Sequence, residues 1–361
     1  YDFWGICDMD ISWGDIRKFI INEILLNYDI ISSRKEAISG HYTLFKNTII
    51  INELYKDIVD YKLMFENKKL VVFIINPKSG VERVKELKQL ILSTLHLDEF
   101  DYEIWHTKYA KHGKELAKQA IEKNAAAVVA VGGDGSINDI ASSILGSKLH
   151  LAIIPKGSGN GLARTLKIPL LAKQAIALIN NWSTMAIDAA TANGALFLSN
   201  AGIGYDALIA KKFAHSEQRG LRVYAWLVSK YLWLYKSRFY KVIIDGKDYS
   251  GTYFLINIAN GQQFGYDFKI APDAHLQDGL LDAVLIKPFP KVYGIVLAWH
   301  AYRGTILQSS YVQRVRAKEI LISNDQLKLA HLDGDSLECE QEVVFKVHPN
   351  ALSIIQNNAS L

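Results

Sequence analysis

Hydrophobic residues change their rhythm along this chain, and the changes divide it into parts. Leu70–Ile75, Ala125–Val131 and Leu149–Ile154 are short apolar runs that stop at Asn76-Pro77, Gly132-Gly133 and Pro155. Strands buried on both faces read this way. Tyr102–Thr107 reads as a further strand. Around these, Val81–Leu95, Gly113–Lys123, Ser136–Leu145 and Leu170–Asn180 repeat apolar residues at three and four positions, which predicts helices. Strands alternating with helices at this spacing predict a three-layer α/β domain over 69–185 with a mainly parallel sheet.

After about residue 185 strands dominate. Ala195–Ser199, Tyr240–Ile244, Tyr249–Ile258, Leu280–Ile286, Glu319–Ile322, Gln326–His331 and Glu342–Val347 all read as strands, with Asp245-Gly246 as a hairpin turn. Two helices interrupt them, Gly220–Lys236 and one near Tyr293–Gln308. The pattern predicts an antiparallel β-rich, sandwich-like domain over 186–348, with a tail, 349–361, that can return to the first domain. Residues 1–68 differ from both parts: they are rich in isoleucine, begin with tyrosine and contain no proline before Met64. Two readings of residues 1–63 stay open. They are an extension upstream of a functional unit that starts near Met64, or a small helical appendage built from Asp15–Leu26 and Ile50–Met64.

Composition narrows the function classes. Half of the 361 residues are hydrophobic and 22% are charged, the balance of a folded protein with a large core. The net charge of +4 is too small to argue for a nucleic-acid partner, but it suits phosphorylated ligands or an anionic membrane surface. Cys7 and Cys339 supply neither a disulfide framework nor zinc spacing, so a reducing cytoplasm is expected. The best candidate span, Tyr224–Tyr235, is too short to cross a membrane and carries Lys230. The first residues lack the pattern of a signal peptide. The ten histidines have no metal-ligand spacing, and His96, His106 and His112 read as ordinary surface or loop residues.

Candidate chemistry lies in three loops after predicted strands: Asn76-Pro77-Lys78-Ser79-Gly80, Gly132-Gly133-Asp134-Gly135-Ser136-Ile137-Asn138 and Pro155-Lys156-Gly157-Ser158-Gly159-Asn160-Gly161. In an open α/β sheet such loops gather at the carboxyl ends of the strands, where ligands bind. Glycines let backbone amides approach phosphate oxygens, and a helix N-terminus behind each loop favours negative charge. Taken singly, each loop is also an ordinary strand-to-helix turn. A turn does not account for the Asp134 carboxylate set between glycines. The loops match neither the Walker spacing nor the dinucleotide fingerprint.

These loops resemble those of the diacylglycerol kinase catalytic-domain family, which includes bacterial lipid kinases, sphingosine kinases and ceramide kinases. The resemblance continues through Asn200–Asp206, Ala271-Pro272-Asp273, Asp278-Gly279-Leu280-Leu281 and Asp333-Gly334-Asp335, and spans about 69–350. It implies an ATP-dependent lipid kinase with MgATP on the α/β domain and the lipid presented by the β domain. Asn76 to Gly80, Thr107, Gly132 to Asn138 and Gly157 to Asn160 would contact ATP, with Asp134 beside the magnesium. Asp335 would be the base that takes the lipid hydroxyl's proton, where bacterial relatives usually have glutamate. Asp134 is the alternative base. The resemblance also implies a structural magnesium held by the Asp278 carboxylate and the main-chain carbonyls of His275 and Leu280. Gly161 stands where many diacylglycerol kinases carry aspartate, so a sphingoid or other long-chain alcohol is a second substrate class.

The aromatic and basic stretch Arg219–Tyr240 suits either a membrane interface or a helix packed on the β domain. The expected setting is cytoplasmic, peripheral at the inner face of the membrane. The expected partners are a lipid substrate and a membrane surface, with a homodimer left open. Two rival functions remain: a soluble-substrate kinase of the NAD kinase type, and a nucleotide-binding regulator that has lost turnover.

Overall fold

A computed structural model of the chain describes residues 68–77, 84–157, 159–216, 220–265 and 268–357. Lys78, Ser79, Gly80 and Ser158, and both readings of residues 1–63, lie outside the described residues. Lys68–Leu361 forms a compact unit of its own.

The unit opens with β1 (Lys69–Ile75), α1 (Val84–Thr94), β2 (Phe100–His106), α2 (His112–Glu122), β3 (Ala127–Gly132), α3 (Asp134–Ile144) and β4 (His150–Pro155). The four strands are parallel, in the order β4-β3-β1-β2. Val71 to Phe73 and Ala127 to Ala130 are fully buried, which explains their unbroken apolar runs. Helices α4 (Gly161–Thr165) and α5 (Ala172–Asn181) complete the α/β part.

A long strand, β5 (Thr184–Ala192), leads through β6 (Ala195–Phe197) to β7 (Asn200–Gly204), then α6 (Tyr205–Ala214) and α7 (Leu221–Leu234). There follow β8 (Arg238–Ile244), β9 (Lys247–Asp248), β10 (Gly251–Tyr253), β11 (Leu255–Ala259), β12 (Gln263–Gly265), β13 (Phe268–Lys269), β14 (Leu281–Ile286) and α8 (Gly294–Arg303). The last strands are β15 (Val312–Ala317), β16 (Glu319–Ser323), β17 (Leu329–Leu332), β18 (Asp335–Glu338) and β19 (Glu342–Ile355). A six-stranded antiparallel sheet, β15-β14-β11-β7-β17-β18, packs one face on a second antiparallel layer made of β8, β16, β19 and β5. Its other face is covered by α6 through Tyr205 and Ile209, by α7 through Val228 and Leu232, and by α8 through Leu297 and Ala301. The architecture is thus α/β followed by an antiparallel β-sandwich.

The two parts share one sheet. β19 pairs with β16 and β5 in the sandwich and, at Ile354, runs parallel to β4 beside Leu151. Its end, Leu352 to Ile355, belongs to the α/β core. The sequence pattern stops this strand at Val347 because Pro349 and Asn350 interrupt it. The pairing absorbs both residues as a register shift between His348 and Leu352, with Asn350 at φ 51°.

Other differences have similar causes. Tyr249–Ile258 is not one strand: β10 joins β8 while β11 crosses to the six-stranded sheet, with the break at Phe254. The sequence pattern does not mark β5 and β7 as strands, because alanines and glycines dilute the few β-branched residues in each. At β7 that smallness is required. A Cβ on Gly202 would lie 1.9 Å from the Asp206 carboxylate and 2.6 Å from the His331 ring. β15 (VQRVRA) was also missed, since it carries two arginines that pair with carboxylates of neighbouring segments. Among the described residues no helix is long and apolar enough to cross a membrane.

Candidate active site

The carboxyl ends of β1, β3 and β4 bring two glycine loops into direct contact. The backbone of Gly133 abuts that of Gly157: a Cβ on Gly157 would lie 2.6 Å from the Gly133 Cα, and one on Gly133 would lie 3.1 Å from the Gly157 Cα. These glycines are therefore needed for close approach of the loops to each other. Asn160 locks the second loop. Its side chain accepts from the Gly157 amide (2.9 Å) and donates to the Gly157 carbonyl (2.8 Å), while its backbone sits at φ 53°. Asn76 reaches across from β1 and donates to the Ser136 hydroxyl at 3.0 Å.

Asp134 is the first residue of α3, so its carboxylate sits at the positive end of an 11-residue helix. Its Oδ2 accepts the Asn160 amide at 2.9 Å, and a Cβ on Gly159 would lie 3.1 Å from that same oxygen. Oδ1 is buried with no hydrogen-bond partner among the described residues. Burial, and next the Asp333 carboxylate, push the pKa of Asp134 up to about 6, against backbone amides that pull it down. A buried carboxylate oxygen left unpaired is costly, and a bound cation relieves that cost.

The sandwich contributes the β17–β18 turn. Asp333, at φ 49°, accepts four hydrogen bonds: Leu198 N–H (2.8 Å) and Asn138 Nδ2 (3.1 Å) on Oδ2, Ser199 N–H (2.8 Å) and Asn200 N–H (3.0 Å) on Oδ1. Burial raises its pKa while these donors oppose the shift. Asn138 also donates to the Leu196 carbonyl at 2.9 Å, so its amide joins α3 to the sandwich. Two residues on, exposed Asp335 brings Oδ2 to 3.1 Å from where a Gly135 Cβ would stand. Gly135 thus leaves room for Asp335 against the first turn of α3.

The structure brings together Asn76, Gly132 to Asn138, Gly157, Gly159, Asn160 and Asp335. Thr107 lies half-buried just past β2, its amide bonded to the Ile75 carbonyl at 2.9 Å. Pro77 follows Asn76 at the end of β1. His275, Asp278 and Leu280 occupy the loop entering β14, at the same end of the six-stranded sheet but three strands from β17, roughly 14 Å by strand spacing. One Asp278 oxygen accepts the Leu280 amide (3.0 Å) and the other is paired with the Arg316 guanidinium. A divalent cation there would have to displace Arg316, so in this arrangement the three residues fit a resident metal poorly. A depression of about 410 Å³, lined by Tyr253, Lys287 and Gln313 among others, lies at the far end of that sheet and contains none of these residues.

Two aspartates are structural anchors with no mark of that role in the sequence. Asp333 belongs to a recognised motif, yet its work is bracing rather than chemistry. Fully buried Asp188 accepts the amides of Gly279 (2.7 Å) and Asn350 (2.8 Å), and its own amide donates to the Leu276 carbonyl. An aspartate among alanines gave no signal.

The diacylglycerol kinase catalytic domain profile matches residues 70–192, and that of the YegS C-terminal NAD kinase beta sandwich-like domain matches 199–356. The chain belongs to this family of lipid kinases. A third profile, of a family of unknown function, matches 1–128 and overlaps the first. A probable lipid kinase, YegS-like, of Pseudomonas aeruginosa is 29% identical over 250 residues, 67% of this chain and 80% of the relative. The diacylglycerol kinase of Bacillus subtilis is 27% identical over 268 residues, 73% of this chain and 88% of the relative. A solved diacylglycerol kinase of Bacillus anthracis shares the fold with a TM-score of 0.63 and 23% identity, covering 81% of this chain and 98% of that one. This member of the lipid kinase family therefore carries a phosphotransferase-type catalytic domain of the ATP-dependent kind.

Proposed function

We propose that this chain transfers the γ-phosphoryl group of MgATP to the hydroxyl of a membrane lipid, a diacylglycerol or a sphingoid-like long-chain alcohol. The observation that carries the reading is the Asp134 carboxylate, buried between two interlocked glycine loops with one oxygen unpaired and with Asp335 beside the same helix turn. Phosphoryl transfer asks a protein mainly for positioning and neutralised charge. The amides of Gly133 to Ser136 and the N-terminus of α3 face the triphosphate, and Asn76 holds Ser136 in place. Asp134 would hold the magnesium that arrives with ATP, and that ion would neutralise charge on the phosphates. The lipid oxygen attacks the γ-phosphorus, the bond to the β-phosphate oxygen breaks, ADP leaves, and Asp335 takes the hydroxyl proton.

The name of the Bacillus subtilis relative supports diacylglycerol as acceptor, whereas Gly161 supports the sphingoid class. A cytoplasmic enzyme visiting the inner membrane face accords with both. The test is labelled ATP offered with diacylglycerol, sphingoid bases and soluble acceptors including NAD. Label in a lipid product is expected, whereas label in NAD alone, or in nothing, would reject the reading. Asp335→Ala and Asp335→Asn should lower kcat by about 100-fold or more with ATP binding unchanged, and Asp335→Glu should keep substantial turnover. A fully active, stable Asp335→Ala enzyme would return the base role to Asp134.

A further inference from the structure

Helix α8 carries large apolar side chains on its exposed face as well as on its buried one. Leu297 and Ala301 are buried against the six-stranded sheet, yet Ile295, Trp299 and Tyr302 are 77%, 59% and 55% exposed, and Val292 just before the helix is 67% exposed. Helices of this kind are ordinarily enclosed on all sides. The neighbouring α7 repeats the pattern: Leu227 is buried while Trp226, Trp233 and Leu234 stand out. The end of α7 meets the start of α8. A side chain on Gly294 would run into Leu232 at 2.7 Å, and Lys291 Nζ donates to the Tyr235 carbonyl at 2.8 Å. The exposed residues of both helices therefore make one patch.

Charge narrows what can cover it. Arg219–Ile244 and Lys287–Lys318 contain no aspartate or glutamate, and each has six lysines or arginines, in a chain whose two signs are nearly balanced overall. Arg314 and Arg316 are taken by Asp282, Asp273 and Asp278. Other cations lie among the apolar groups: Lys230 sits 4.6 Å from the Trp226 ring centre and Arg303 5.9 Å from that of Trp299. Tryptophan rings flanked by cations, with aliphatic side chains between them, match the boundary between lipid headgroups and acyl chains. An anionic surface supplies the countercharge that these two segments lack.

We propose that α7, the turn at Lys291–Tyr293 and α8 form the face by which this protein docks on an anionic lipid bilayer. The purpose of the docking, reaching an acceptor lipid, rests on the kinase reading above, but the face itself does not. The full chain is compared with its Ile295→Ser/Trp299→Ser double variant, whose changes are exposed and outside the proposed catalytic and nucleotide-binding residues. Vesicles of phosphatidylcholine are used with and without phosphatidylglycerol. The wild type should sediment with the mixed vesicles, and binding should fall about tenfold or more when the anionic lipid is omitted or salt is raised to about 0.5 M. The double variant should lose about tenfold in binding at an unchanged melting temperature. It should also phosphorylate a dissolved short-chain diacylglycerol as the wild type does, but long-chain lipid in vesicles poorly. Equal vesicle binding by the two proteins would overturn the proposal. So would a wild-type dimer that the double variant breaks while vesicle binding persists, because a second copy would then be the occupant. Vesicle binding through this face by a protein that phosphorylates no lipid would support the face and reject the kinase reading.

Discussion

Replacing Asp134 by asparagine should abolish turnover and, at neutral pH without nucleotide, relieve a strain in the fold. Burial and Asp333 raise the Asp134 pKa from 3.8 to about 6 in the folded chain. Below pH 3.8 the group is protonated whether folded or unfolded and costs nothing. Between 3.8 and about 6 the folded chain holds a proton that the unfolded chain has released, so this group's contribution to stability falls as pH rises. Above about 6 the full penalty is present, on the order of 3 kcal/mol for a shift of about two units. Asparagine keeps an oxygen for the Asn160 amide but turns an unpaired NH2 toward the former Oδ1 position, which costs about 1–3 kcal/mol. The net change at pH 7 is therefore small. The diagnostic quantity is the difference between variant and wild type, which should move by roughly 2 kcal/mol toward the variant from pH 4 to pH 7. Carboxylates distant from Asp134 cancel in that difference, whereas Asp333, which acts directly on Asp134, does not. Thermal or denaturant melts at several pH values in a chelating buffer measure it, and added MgATP should then stabilise the wild type far more than the variant. Parallel pH profiles would refute the burial argument. Unchanged turnover at saturating magnesium would refute the role at the phosphates.

Gly157→Ala would force a Cβ to within 2.6 Å of the Gly133 Cα, so it should cost about 1–3 kcal/mol and weaken ATP binding, measured by melting and by nucleotide titration. Asp333→Asn removes a charge that serves four donors, and should cost about 2–4 kcal/mol in denaturant melts. Because Asp333 also raises the pKa of Asp134, the same change should move the Asp134 titration downward, read from the pH profile described above. With Arg316 paired to Asp278, chelators should leave the melting temperature unchanged, whereas in Arg316→Met added magnesium should raise it. A wild type whose melting point drops in chelator would restore the metal reading for His275, Asp278 and Leu280.

The α/β half was legible because β1, β3 and β4 are buried on both faces and stop at or beside glycine or proline, so one local pattern carried most of the assignment. In the sandwich, tertiary demands overrode local pattern. β7 carries Gly202 because Asp206 and His331 occupy the space where its side chain would stand, and β15 carries arginines because carboxylates on β14 and the loop before it face them. β19 continues past a proline because its far end completes the first domain's sheet. Apart from Asp206, four residues from Gly202, these partners lie far away in sequence, so no window of residues could disclose them.

The same distinction separates what the motifs revealed of the site from what they concealed. Glycine loops announce close backbone approach, and the structure shows that part of that approach is between the loops themselves. The Asp333-Gly334-Asp335 motif names two carboxylates but does not divide their labour. Geometry does: Asp333 has its oxygens filled by four donors and cannot take a proton without breaking the joint between α3 and the sandwich. Asp335, one exposed turn away, lies against Gly135 and is held there by that joint. On the proposed kinase reading the motif would pair a brace with a reactive group, and Asp335 would reach the hydroxyl only while the brace is intact. Asp335→Glu should therefore rescue none of the loss in Asp333→Asn, whereas two independently acting carboxylates would give additive effects on kcat.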